Sequence, residues 1–170
     1  RFVRLRMDGG YKDLVSLIEF ADTAYVITPF TTDYDNILLS LSLIGNMGEW
    51  ENFPDRGTVI AQAVEQAVSL FRAFDFLDAS GNLMVIFSDG EDNDEGALDA
   101  AQVAAQEGLR IFTVGVGTAE GELLRIKDAK GRTDYIRDDQ GNVVKSRLNE
   151  SLLQEIAFAT EGRMYLRLAG

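Results

Sequence analysis

The residues best suited to chemistry stand together in Asn82-Leu83-Met84-Val85-Ile86-Phe87-Ser88-Asp89-Gly90-Glu91-Asp92. An apolar run bounded by polar residues predicts a strand buried on both faces, as in a parallel sheet. Asp89 falls at its C-terminal end, and in open α/β sheets ligands bind beyond the carboxyl ends of the strands. A carboxylate there can hold a hard cation or orient a water. Glu91, Asp92, Asp94 and Glu95 follow. Their bland reading is decoration of the N-terminus of the next helix, where the dipole favours acids.

What the chain lacks narrows the chemistry further. It contains no His and no Cys. Nucleophile systems that need an imidazole or a thiol are therefore excluded, as are zinc sites built on His or Cys. A metal would have to be held by oxygens, which selects Mg²⁺, Mn²⁺ or Ca²⁺. The formal net charge of -12 repels phosphate backbones, so nucleic acid is not an expected partner. Basic partners and cations are. The lack of Cys leaves the redox compartment undecided.

The elements that must position Asp89 are legible on both sides of it. The 170 residues suit one domain, 46% hydrophobic and 26% charged, an ordinary globular balance. No apolar run reaches the roughly 20 residues of a membrane-spanning helix, and no signal peptide is visible. The opening Arg1-Phe2-Val3-Arg4-Leu5-Arg6, without an initiator Met, reads as the tail of something longer.

Residues 13–20 and 23–28 predict two strands joined so tightly that they must form an antiparallel hairpin, closed by Pro29. Thr32 as N-cap with Asp35 at N3 predicts a helix whose face is Tyr34, Ile37, Leu38, Leu41 and Ile44. The connection from Gly45 to Gly57 carries Trp50 and Phe53, which either join a partner surface or tuck under their own loop. A strongly amphipathic helix follows, with Ile60, Val64, Ala67, Phe71 and Phe74 on its buried stripe. Thr58 is either its N-cap or first-turn residue, or a ligand whose hydroxyl points into the crevice.

Beyond Asp89, residues 96–107 predict an Ala-rich helix with Leu98, Ala101 and Ala105 inward, stopped by Gly108. Residues 110–117 predict another buried strand, and Gly115-x-Gly117 lacks the third glycine of a dinucleotide fingerprint. Residues 119–147 form a polar insertion in which 133–137 and 142–146 should pair as a hairpin, and its acids fail the calcium-loop template. Asn149 should cap a last helix, with Leu148 and Leu153 as a staple, Leu152, Ile156, Ala159 and Thr160 on its face and Gly162 at its end. Residues 163–168 should form an edge strand.

Taken together, residues 14–20, 24–35, Gly57-Thr58, 86–92, 111–117, 139–144 and 148–150 resemble the von Willebrand factor A family, and its bacterial Bat-type (BatA/BatB-like) branch most. The likeness runs over nearly the whole chain. It implies a Rossmann-like, doubly wound, mostly parallel sheet with one antiparallel edge strand. It also implies a metal-ion-dependent adhesion site, where Mg²⁺ or Mn²⁺ keeps one coordination position for a partner's carboxylate. Residue by residue, the family's Thr matches Thr58 and its later Asp matches Asp89. The family's Asp-x-Ser-x-Ser element, at the end of the first central strand, matches nothing here. The chain is thus expected to begin after that strand and, alone, to bind its cation weakly.

The function implied is metal-mediated protein interaction without catalysis, in a parent anchored in a bacterial membrane. Implied partners are other Bat-type proteins or an associated AAA-type, chaperone-like ATPase, with no membrane contact by these residues themselves. The competing reading is an Mg²⁺-dependent phosphoryl-transfer hydrolase with Asp89 as nucleophile or ligand. Against it stand the missing Asp-x-Asp pair, the missing Lys beyond residues 111–116 and the missing Gly-rich phosphate loop.

Overall fold

The structure, a computed structural model, describes residues 1–44, 58–75, 81–92, 95–127, 132–137, 140–162 and 165–168. Two compact units emerge: Arg1–Asp78 with Asp92–Ala100, and Ala79–Glu91 with Ala101–Gly170.

The first unit begins with helix α1 (Phe2–Asp8) and the antiparallel strands β1 (Val15–Phe20) and β2 (Ala24–Thr31). The expected hairpin is present, but Pro29 does not close it. The register slips between Val15 and Ile18, and β2 runs on to Thr31. Proline has no N–H to give, so it is tolerated where the ladder is already irregular. Ser16 secures the slip by donating its hydroxyl to Thr28 O at 2.7 Å.

Helix α2 (Tyr34–Leu43) starts one residue later than its sequence signal suggests. Its N-cap is Asp33, whose Oδ1 accepts from the Asn36 N–H at 3.0 Å, and Thr32 stands outside the helix. Only Tyr34 and Ile37 of its predicted face are fully buried, while Leu41 and Ile44 are exposed. Tyr34 ties α2 to the chain before β1, its phenol reaching Tyr11 O and Asp13 O at 3.0 Å each. Helix α3 (Ile60–Ala73) packs on both strands of the hairpin. Ile60, Val64, Ala67 and Phe71 are buried as the 3.6-residue period requires. Phe74 is exposed beyond the helix end, though its ring stands 5.5 Å from that of Phe30.

The second unit holds a parallel sheet in the order β3 (Leu83–Ser88), β4 (Arg110–Val116), β9 (Tyr165–Leu168). Parallel neighbours need long crossovers. The chain returns from β3 through α4 (Ala97–Gln106), within which the division between the units falls. It returns from β4 through the insertion and α5 (Glu150–Ala159), which packs on β4 and β9. The buried residues of α4 are Ala97, Ala100, Ala101 and Ala104; Leu98 and Ala105, expected inward, are only half-buried.

β4 is central, and Ile111, Thr113, Val114 and Gly115 are buried. Thr113 donates its hydroxyl to Leu153 O at 2.7 Å, and Thr160 accepts the Ile111 N–H at the same distance. Those bonds make both hydroxyls tolerable in an apolar interior. β3, by contrast, is not buried on both faces. Leu83 is 47% and Phe87 53% exposed, and among the described residues β3 pairs only with β4. β1 likewise pairs only with β2.

The insertion folds differently from the simple hairpin read in it. β6 (Arg125–Lys127) pairs with β7 (Thr133–Tyr135), and β5 (Glu122–Leu123) with β8 (Lys145–Ser146). Of the expected 133–137/142–146 pairing, a bridge between Arg137 and Val143 remains, with the Val144 N–H on Ile136 O. The extra strands β5 and β6 lie in residues 119–127, which have no alternating apolar pattern to betray them.

Candidate metal centre

Asp89 follows β3 at the C-terminal end of the parallel sheet and is half-buried. Its two carboxylate oxygens are held differently. Oδ1 accepts the Glu91 N–H at 3.1 Å, a local turn bond. Oδ2 accepts the Ser146 hydroxyl at 2.6 Å, from 57 residues along the chain. The Asp89 carbonyl accepts the Asn149 N–H at 2.7 Å, and Glu91 Oε1 accepts the Arg147 N–H at 2.8 Å. Gly90 has φ +74°, and a Cβ there would lie 2.6 Å from Asn149 O. Glycine is required twice over, by the left-handed backbone and by the close approach.

Segment 146–149 therefore clamps the acidic loop from Asp89 to Glu91 with three hydrogen bonds, and Asn149 goes on to cap α5 by accepting the Leu152 N–H. The carboxylate stays open to a ligand, because each oxygen carries two lone pairs and accepts one bond.

In the first unit, Thr58 is half-buried two residues before α3. It is not the N-cap: Val59 is, with no side-chain cap. The cap comes instead from Asp92, whose Oδ1 accepts the Ile60 N–H at 3.1 Å. Its Oδ2 is buried with no hydrogen-bond partner among the described residues. From sequence, Glu91 and Asp92 are expected at the N-terminus of the helix that follows. Glu91 instead receives the Arg147 N–H, and Asp92 serves a helix that begins 32 residues earlier. Asp94, Trp50 and Phe53 lie outside the described residues.

Within the second unit, the Asp89 carboxylate oxygens are donors of the kind a hard divalent cation takes. In number they fall short, since among the described residues no group of three or more acidic side chains is placed to hold a metal. Mg²⁺ takes six oxygens. A cation held here would need further oxygens beyond these. Sequence reasoning missed Ser146, because nothing in a polar hairpin marks which hydroxyl will reach a carboxylate 57 residues away.

An α/β architecture with a parallel sheet, five helices among the described residues and an acidic loop after a strand defines a ligand-binding class of fold. The von Willebrand factor type A domain model matches residues 2–157, and the chain belongs to that family, on its Bat-like bacterial side. It is similar to the crystal structure of the conserved hypothetical protein BatB from Bacteroides thetaiotaomicron, with 34% identity and a TM-score of 0.84 over 99% of this chain and 77% of that one. It is also similar to an aerotolerance-related membrane protein from Bacteroides fragilis, with 32% identity and a TM-score of 0.83 over 100% of this chain and 79% of that one. Comparison with curated proteins returns no match. Domains of this family are generally non-catalytic and often bind a divalent metal at an adhesion site. Among the described residues no helix is long and apolar enough to cross a membrane.

Proposed function

We propose that the chain is a single domain for metal-ion-dependent protein interaction, in which Thr58 and Asp89 each give an oxygen to Mg²⁺ or Mn²⁺. The observation that carries this reading is the state of Asp89: beyond a parallel strand, its carboxylate fixed at both oxygens yet with lone pairs free. Thr58 adds support, because its helix is capped by Asp92 and not by the Thr58 hydroxyl.

The remaining ligands come from an Asp-x-Ser-x-Ser element on a first central strand that these residues lack. In favour of such a strand, β1 and β3 each keep an edge unpaired among the described residues, and β3 leaves Leu83 and Phe87 exposed. A partner carboxylate completes the cation's shell. The partner is another Bat-type protein or an AAA-type ATPase, the parent protein is membrane-anchored, and the domain performs no catalysis.

Calorimetric titration of Mg²⁺ and Mn²⁺ into versions with and without an added upstream Asp-x-Ser-x-Ser strand tests this. Asp89→Ala and Thr58→Val serve as controls. The longer version should bind at least tenfold more tightly, lose that gain in both variants and release a captured partner with EDTA. Equal binding in all of them, indifferent to Asp89, ends the proposal.

A further inference from the structure

The clamp on the acidic loop singles out one side chain. Of its three bonds from segment 146–149, two come from backbone N–H groups, of Arg147 and Asn149, which any residue could supply. The third is the Ser146 hydroxyl on Asp89 Oδ2, the shortest at 2.6 Å. Among the described residues it is also the one long-range side-chain bond to that carboxylate, since the bond at Oδ1 is local and exposed.

A carboxylate free to turn about its side-chain torsions loses rotamer freedom when it takes a metal; one already held does not. The Ser146 hydroxyl has one proton and gives it to Oδ2, so that oxygen is directed into the protein. Oδ1 then has the more exposed remaining lone pair. Ser146 is itself fixed from behind. β8 pairs with β5 in register Glu122 to Ser146, and Leu148, two residues on, is buried with its N–H on Thr118 O at 3.0 Å.

We propose that Ser146, contributed by the polar insertion, is a positioning residue that orients the Asp89 carboxylate and presents Oδ1 to the cation. This rests on the metal-binding reading above and extends it to a residue outside the adhesion-site ligands. The insertion thereby becomes part of the binding apparatus: Ser146, on β8, holds a carboxylate 57 residues away in sequence.

The experiment is Mn²⁺ titration of the ¹⁵N-labelled 170-residue chain, reading paramagnetic broadening of assigned amides, which detects even weak binding. Wild type should broaden first at residues 89–91 and 146–149. Ser146→Ala should raise the Mn²⁺ concentration for half-maximal broadening there by about tenfold, the scale of lost outer-shell support to a metal ligand. Ser146→Thr, which keeps the hydroxyl, should stay within about twofold of wild type. In an Asp89→Ala background, Ser146→Ala should change nothing further.

Broadening that Asp89→Ala removes but Ser146→Ala leaves at the wild-type concentration overturns the positioning role and spares the metal site. Broadening centred elsewhere, or none at these residues, overturns the positioning role, and calorimetry on the version with the added strand then decides the metal site separately. The backbone bonds of Arg147, Leu148 and Asn149 survive in every Ser146 variant, so unchanged amide shifts away from the loop confirm that the fold persists.

Discussion

Gly90 is where the geometry of the acidic loop can be challenged most directly. Gly90→Ala imposes two separate costs. The backbone φ of +74° is left-handed, which costs an L-residue about 1–2 kcal/mol. The new Cβ would also lie 2.6 Å from Asn149 O and 3.0 Å from Leu153 Cγ. Asn149 O belongs to the backbone that caps α5, and its neighbouring N–H is bonded to Asp89 O, so it cannot yield by a side-chain rotation. Forced overpacking of this kind costs about 1–3 kcal/mol. The sum is about 2–5 kcal/mol, or about 4–20 °C in Tm at this chain length. Gly141 is the control. Its φ of +84° is similar, but nothing lies within 4 Å of its added Cβ, so Gly141→Ala should carry the backbone cost alone, about 1–2 kcal/mol. Urea and thermal unfolding of the three proteins measure both. If the two variants fall within about 0.5 kcal/mol of each other, the contact between the loop and Asn149 is not there in solution and the clamp is wrong.

Other predictions follow from single groups. Asp92→Ala removes the cap of α3 and should cost about 0.5–2 kcal/mol, while Asp92→Asn, still able to accept from Ile60, should cost less; urea unfolding separates them. The Tyr165 hydroxyl is buried without a partner among the described residues, so Tyr165→Phe should be neutral or stabilising by up to about 1 kcal/mol. Desolvation, helped by Glu150, raises the Tyr165 pKa. Its contribution is thus complete below the unfolded phenol value near 10 and is lost as pH rises through the folded value. An alkaline melting series should show Tyr165→Phe losing less stability than wild type. The Arg6 hydrogen bond holds Asp13 below its ordinary pKa. Its stabilisation, small at so exposed a pair, is present above about pH 4 and lost as pH falls through the lowered value. Asp13→Asn should flatten that acid limb in urea midpoints, and parallel limbs would refute it.

The fold was most legible where apolar period and terminal signals agreed. The hairpin, α3, the strand before Asp89, β4 and the Asn149 cap all lie where residue spacing put them. Errors came where two weak signals competed. Thr32 and Asp33 are both good caps, and only the bond to Asn36 decides between them. Pro29 is a strand stop only in a regular ladder, and a register slip is invisible in sequence. Five apolar residues in a row said that β3 could be buried twice over, but burial also needs neighbours. Leu83 and Phe87, four residues apart and so on the same face of β3, stay exposed, because a strand is buried twice over only where both sheet faces are covered.

The candidate site divides along the same line. Asp89 is legible because its chemistry and its place at a strand end are both local properties. Asp92 and Ser146 are not, because what they do depends on residues 32 and 57 positions away. One distant bond runs from the Ile60 backbone N–H to Asp92 and the other from the Ser146 hydroxyl to Asp89, and each replaces a local role that composition suggests. Asp92 has no need of a helix dipole ahead of it once it caps the helix behind it. Ser146 is no longer a solvated hairpin hydroxyl once its proton is spent on Asp89. The insertion, read from its polarity as a bystander, therefore bears directly on the Asp89 carboxylate.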